Sequence, residues 1–189
     1  MEADEYNLCL IGRFLTSSVI HLLSMRNTLV DVWHPLRGVS IIDIGDKMIC
    51  FKFYHEVDML RVLDGCPWCF NNHLLLLHRI FRGEDPVLVP LDYAMFWVQL
   101  HDLPSGLVSE VMARLFGNFI GEFVKYDSKR VIIGRKQFLR VKVILNVNYL
   151  LKRKKKIDLE KVHTTYARFQ YEKVTLFCFI CGKLGYWEM

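Results

Sequence analysis

The sequence predicts an α+β protein built from two small units, and three observations carry that prediction. Strand-like and helix-like apolar patterns alternate in the order β-α-β-β-α-β over the first 85 residues. A turn-rich stretch, Gly83-Glu84-Asp85-Pro86 with Pro90, then interrupts the pattern like a linker before strand and helix signals resume. The charge changes sign at the same place: residues 1–85 hold 8 Lys/Arg against 11 Asp/Glu, and residues 86–189 hold 17 against 9. Predicted boundaries are 1–85 for a ferredoxin-like α+β domain, 86–176 for a second, basic α+β unit, and 177–189 for an incomplete zinc knuckle.

Composition sets the frame. Of 189 residues, 52% are apolar and 24% charged, a globular balance with enough chain for a real core. No apolar run approaches the roughly 20 residues of a membrane helix. Met1-Glu2-Ala3-Asp4-Glu5 is acidic, unlike a secretory signal or an Arg-rich transit peptide. With six cysteines and no such signal, an intracellular reducing compartment is expected, nucleus or cytoplasm unresolved.

The elements follow in order. Leu8 to Phe14 reads as a strand. Residues 17–30 carry Val19, Ile20, Leu22, Leu23, Leu29 and Val30 at helical spacing, with Thr16, Ser17 and Ser18 as N-caps and Trp33-His34-Pro35 as the break. Val39–Ile44 and Lys47–Tyr54 read as a hairpin about Gly45-Asp46. Glu56–Leu63 is a short helix closed by Asp64-Gly65, and the Asn71-Asn72 turn joins Trp68–Phe70 to a strand over Leu74–Phe81. In the second unit, Ala94–Leu100 is a strand and His101-Asp102-Leu103-Pro104 a turn. Leu107–Phe116 is helical with Val108, Val111, Met112 and Leu115 on one face. Glu122–Tyr126, Phe138–Val147 and Tyr166–Leu176 are strands, and Lys152–Lys156 is a basic loop.

The first unit's order is the layout shared by RNA-recognition (RRM) folds. On the eight-residue RNP1 pattern, Asp46–Phe53 places Ile49, Phe51 and Phe53 on the core face. Met48 and Cys50, with Cys9 on the partner strand, then stand where base-stacking aromatics belong, so this sheet is expected to be structural.

Three further motifs bear on chemistry. Lys152-Arg153-Lys154-Lys155-Lys156, with Arg135, Lys136 and Arg140, could neutralise several phosphates of RNA or single-stranded DNA; a solvated loop and a nuclear-import signal are the competing readings. Cys66-Pro67-Trp68-Cys69 imitates a thioredoxin-type pair but follows a helix where redox chemistry needs it to open one, so packing cysteines are expected. Cys178-Phe179-Ile180-Cys181-Gly182-Lys183-Leu184-Gly185-Tyr186 begins a zinc knuckle, yet Tyr186 holds the histidine position. A fourth ligand would fall beyond Met189, which leaves zinc two ligands of four. No Ser-His-Asp, HExxH or P-loop pattern occurs, and no enzyme activity is expected.

Leu10-Ile11-Gly12-Arg13, Asp64-Gly65 with Pro67-Trp68 and Phe70, Phe96–Pro104, Gly117, Ile120-Gly121, Phe138–Val141, Tyr171-Glu172 and Phe177–Gly185 together carry a resemblance. The chain resembles the plant domain of unknown function that precedes a CCHC zinc knuckle in LINE-type retrotransposon-derived proteins. The resemblance implies a Gag-like or ORF1-like role, with nucleic-acid and zinc binding in complete members. Cys66 stands where that pattern has glycine, and Tyr186 where it has histidine. The functional expectation is non-enzymatic binding of RNA or single-stranded DNA by the basic second half, with no membrane partner. The rival is a structural or self-associating remnant without a ligand.

Overall fold

The computed structural model describes residues 8–133, 136–159, 163–178 and 180–185. The chain separates into two compact units that divide between Tyr93 and Ala94. Each is one five-stranded antiparallel sheet, so the molecule is α+β.

In the first unit, β1 (Cys9–Phe14), β2 (Val39–Gly45), β3 (Met48–Phe53), β4 (Trp68–Phe70) and β5 (His73–Arg79) pair in the order β2-β3-β1-β5-β4. The helices α1 (Leu22–Trp33) and α2 (Glu56–Asp64) supply the two crossovers of a ferredoxin-like layout, with β4 added as a short hairpin strand. The predicted hairpin at Asn71-Asn72 is present, both residues at positive φ as a type I′ turn requires. The β2–β3 turn is shifted by one residue from expectation. Asp46 and Lys47 are its positive-φ pair, and β2 runs on to Gly45 through an irregularity after Asp43.

Helix α1 starts later than residues 17–30 suggested and includes Trp33. Its N-cap is His21, whose Nδ1 accepts the Ser24 N–H (3.3 Å), and not Thr16, Ser17 or Ser18. His34 ends it in the left-handed region at φ 43°, before Pro35. Arg61 of α2 then donates to the carbonyls of Trp33 (2.8 Å) and His34 (2.6 Å), a cation set on the negative end of α1. Asp58 holds that arginine at 3.2 Å and accepts the Arg37 N–H. Burial alone would raise the Asp58 carboxyl. The N–H groups of Leu36 and Arg37 and the Arg61 charge outweigh it, and the group sits below its ordinary value.

Ile49, Phe51 and Phe53 do face the helices, packed with Leu10, Met25, Leu29, Trp33, Met59 and Val62. Trp33 lies edge-on to both Phe51 (5.1 Å) and Trp68 (6.1 Å). The indole of Trp68 donates to the Val62 carbonyl (2.7 Å) and lies so near Gly65 that a Cβ there would meet its Cζ2 at 2.5 Å. That close approach is the physical reason for the glycine before Pro67-Trp68. The opposite sheet face is buried as well, through Cys9, Ile11, Met48, Cys50, Leu74 and Leu76. The stretch predicted as a linker folds with this unit: Val89 and Leu91 are buried, and the Leu91 carbonyl accepts from Arg13 (3.4 Å).

The second unit comprises β6 (Tyr93–His101), α3 (Glu110–Ile120), β7 (Glu122–Ile133), β8 (Lys136–Asn146), β9 (Lys154–Leu159) and β10 (His163–Tyr171). Its strand order, β7-β8-β6-β10-β9, repeats that of the first unit position for position. The difference is one helix. Where α2 stands in the first unit, residues 147–153 run irregularly between β8 and β9. Leu151 is buried there, and its N–H donates to the Gly182 carbonyl (2.8 Å).

Helix α3 corrects two expectations. It spans Glu110–Ile120, capped by Ser109, and its buried side is Ala113, Phe116, Gly117 and Ile120. Val111 and Leu115, expected on the helix's apolar face, are 67% and 58% exposed. The basic "loop" Lys152–Lys156 is also corrected, because its last three residues open strand β9. The closing strand β10 begins three residues before, and ends five before, the predicted Tyr166–Leu176.

Candidate nucleic-acid interface

Period-2 alternation sorts the second unit's side chains. Phe96, Val98 and Leu100 of β6, Val141 and Val143 of β8, and Ala167 and Phe169 of β10 are buried, and Phe169 meets Phe116 of α3 (6.0 Å). The other face therefore carries Trp97, Gln99 and His101 from β6, Phe138, Arg140 and Lys142 from β8, and Lys125 and Asp127 from β7, with Phe138 and Lys142 themselves buried.

Trp97 is the centre of that face. The Arg140 guanidinium lies 4.1 Å from its ring centroid, and the ammonium groups of Lys142 and Lys125 lie at 5.6 and 5.8 Å. Arg140 is gripped by acids. Its Nε and Nη2 make a two-pronged contact with Glu172 (2.8 and 2.7 Å), and Nη1 reaches Asp127 (3.3 Å). Gln99 donates to the same Glu172 oxygen (2.8 Å), and the Glu172 N–H donates to the Trp97 carbonyl. The bond from Arg140 holds the Glu172 carboxyl below its usual range, and in return Glu172 raises the arginine. Sequence reading offered Arg140 as a phosphate contact; the fold commits most of its donors to two carboxylates.

The run Lys152–Lys156 does not form one patch, because strand geometry sends alternate residues to opposite faces. Lys154 sits over Tyr166 (5.2 Å) and Lys156 pairs with Asp158 (3.1 Å). Lys152 and Lys155 turn to the helix side, 4.6 and 4.0 Å from the Phe119 ring, and Lys152 donates to the Phe119 carbonyl at the end of α3. Arg153 donates to the Ile180 carbonyl (3.1 Å). Lys136 opens β8, whereas Arg135 lies outside the described residues.

The segment read from sequence as the start of a knuckle forms a hairpin-like turn. The N–H of Gly182 donates to the Cys178 carbonyl, that of Cys178 to Lys183, and that of Gly185 to Leu176, while Phe177 bridges Leu184. The Cys181 N–H donates to the Cys178 sulfur (3.4 Å), and this bond and the Cys181 thiol lower the Cys178 thiol below its ordinary value. Leu184 is buried. The described donors amount to two thiols, and among the described residues no three His, Cys, Asp or Glu side chains converge as metal ligands. Two thiols fall short of a tetrahedral zinc set, and Tyr186 lies outside the described residues. In the first unit Cys66 is buried and its thiol reaches the Val62 carbonyl (3.6 Å), a packing contact.

Trp97 as the hub escaped the sequence reading. The available signal was alternation: β6 places Met95, Trp97, Gln99 and His101 on one face, and Lys142 follows Arg140 by two.

Fold and site define a class, an α+β protein of two units with a ferredoxin-like strand order and a basic second half. Residues 2–86 match the family described as a domain of unknown function, DUF4283. A relative, an uncharacterized protein of Arabidopsis thaliana, is 23% identical over 128 residues, which covers 68% of this chain and 40% of that protein. The chain thus matches less than half the length of this relative. A solved structure, the first two RRM domains of the yeast poly(U) binding protein Pub1, aligns at 12% identity with a TM-score of 0.29. The alignment covers 71% of this chain and 81% of that one, too loose a superposition to bear on function.

Proposed function

We propose that the protein is a non-enzymatic binder of RNA or single-stranded DNA, that the second unit makes the contacts, and that no cofactor is needed. One observation carries this reading. Basic side chains of the second unit stand beside aromatic rings on both faces of its sheet: the exposed Lys125 at Trp97 and Lys154 at Tyr166 on one side, and the exposed Lys152 with the half-buried Lys155 at Phe119 on the helix side. Cations along a backbone-tracking surface neutralise phosphates, and rings and guanidinium planes beside them tolerate any base. A retrotransposon-derived, Gag-like or ORF1-like origin fits the sequence resemblance and belongs to the same proposal. Fluorescence anisotropy of the full chain with short labelled RNA and DNA strands, at several salt concentrations, tests it. Affinity should fall steeply with salt, by about 0.7 log units per log unit of salt for each phosphate neutralised. Absence of binding at low salt, or affinity indifferent to salt, would overturn it and favour the self-associating or ligand-free alternative.

A further inference from the structure

The structure assigns a stacking site for an unpaired base to Tyr166 on the β9–β10 ribbon, with the exposed cations Lys154, Lys156 and Arg168 around it for the flanking phosphates. This assignment rests on the nucleic-acid reading above and specifies which strand pair holds the single strand and what part of it is held.

Alternation along the two strands builds the surface. Ala167 and Phe169 of β10 are buried, whereas Thr164, Tyr166, Arg168 and Gln170 face outward and are exposed. The β9–β10 register sets Lys156 opposite Tyr166 and Lys154 opposite Arg168, so both lysines share that outer face, and both are exposed. Tyr166 is 46% exposed in the middle of its strand, which leaves its ring open to a ligand. The Lys154 ammonium lies 5.2 Å from the ring centroid. Lys156 pairs with Asp158 and Arg168 with Asp102, yet the two cationic side chains stay 56% and 62% exposed. Ion pairs so open to water contribute little, and a phosphate can take either cation at small loss. Arg168 opposite Lys154 also sets like charges face to face, a repulsion that a phosphate between them relieves.

The partner's chemistry follows from this set. Same-face side chains along a strand repeat at about 6.6 Å, a step that an extended nucleotide chain can follow. An aromatic ring among cations suits a base flanked by phosphates. An acidic peptide would satisfy the cations and leave the ring unused. A duplex keeps its bases stacked on one another and offers the ring no face. The occupant is therefore an unpaired stretch of RNA or DNA, held without regard to base identity because every base has a π-face. Lys154 yields its place at the ring, since a stacked base is worth more than an exposed cation–π contact.

Anisotropy on the full chain with labelled oligodeoxythymidylate tests the site. The unlabelled competitors are oligouridylate, oligodeoxythymidylate, an abasic DNA strand of the same length, and polyglutamate of matched charge. Oligouridylate should compete within about threefold of oligodeoxythymidylate, and the abasic strand at least about fivefold less well, the loss of a stacked base. Tyr166→Leu should remove most of that difference, and Tyr166→Phe should keep it. Lys156→Ala should leave the difference intact and lower the salt slope by about 0.7, one phosphate contact. Should Tyr166→Leu fail to fold in a thermal melt, the Lys156→Ala slope decides. An unchanged abasic penalty in folded Tyr166→Leu, or an unchanged slope in Lys156→Ala, overturns this site and leaves the broader function standing, because the wild type still binds. Polyglutamate that competes as well as oligouridylate would overturn the site in favour of an acidic protein partner. A wild-type chain that binds no strand at low salt overturns both.

Discussion

At the residue scale, the Arg140–Glu172 pair is the contact on which the second unit's polar face turns. Three strands meet in it, since Glu172 follows β10, Arg140 lies in β8, and Gln99 and Trp97 lie in β6. The side chains are 27% and 22% exposed, so the pair is shielded without being sealed, and removing one partner should cost about 1–3 kcal/mol. Because folding lowers the Glu172 carboxyl, its contribution is complete above the ordinary Glu range near 4.3 and disappears as pH falls through the folded value. Glu172→Gln should therefore melt below wild type at neutral pH, and the gap should close on acidification. A gap independent of pH in thermal melts from neutral to strongly acid buffer would refute this account. The pair was not legible in the sequence, because 32 residues separate its members and only the sheet order joins them.

At the element scale, α3 shows how an apolar pattern misleads. Val108, Val111, Met112 and Leu115 make a plausible helical stripe, yet the helix begins only at Glu110 and turns Ala113, Phe116, Gly117 and Ile120 inward. The buried stripe includes two small residues, which a search for large apolar groups passes over. A physical reason for Gly117 is plain: a Cβ there would meet the Phe123 ring at 2.6 Å. Val111→Glu and Leu115→Lys should each change stability by less than about 0.5 kcal/mol, whereas Phe116→Ala should cost about 3–5 kcal/mol. Urea unfolding of the three variants distinguishes the two faces, and a large loss at Leu115 would return the core to the predicted stripe. The strand β9 teaches a related lesson. A run of five cations reads as a loop, but Lys and Arg also suit an edge strand, where their charge discourages pairing with another sheet.

At the scale of the whole molecule, the first unit was the legible one. Its turn residues, its alternation at Ile49, Phe51 and Phe53, and its helix closed by Gly65 are local signals that agree with one another. The second unit repeats the same strand order without the second helix, and local signals could not reveal that. Its missing cover involves residues 147–153 and a hairpin from about 30 residues further on, joined through Leu151 and Gly182. The candidate site divided likewise: cationic residues could be named from composition, but their partition between two faces is a property of the assembled sheet. The first unit's sheet, buried on both faces, has a consequence for chemical labelling. Cys9, Cys50 and Cys66 are buried while Cys181 is exposed, and none of the four is in a disulfide. A maleimide should capture Cys181 within its mixing time, and the three inner thiols only as fast as the first unit opens. Mass spectrometry that counts adducts over hours would then time the opening of one unit inside the intact chain, and equal labelling of all four thiols at the outset would refute the sealed sheet.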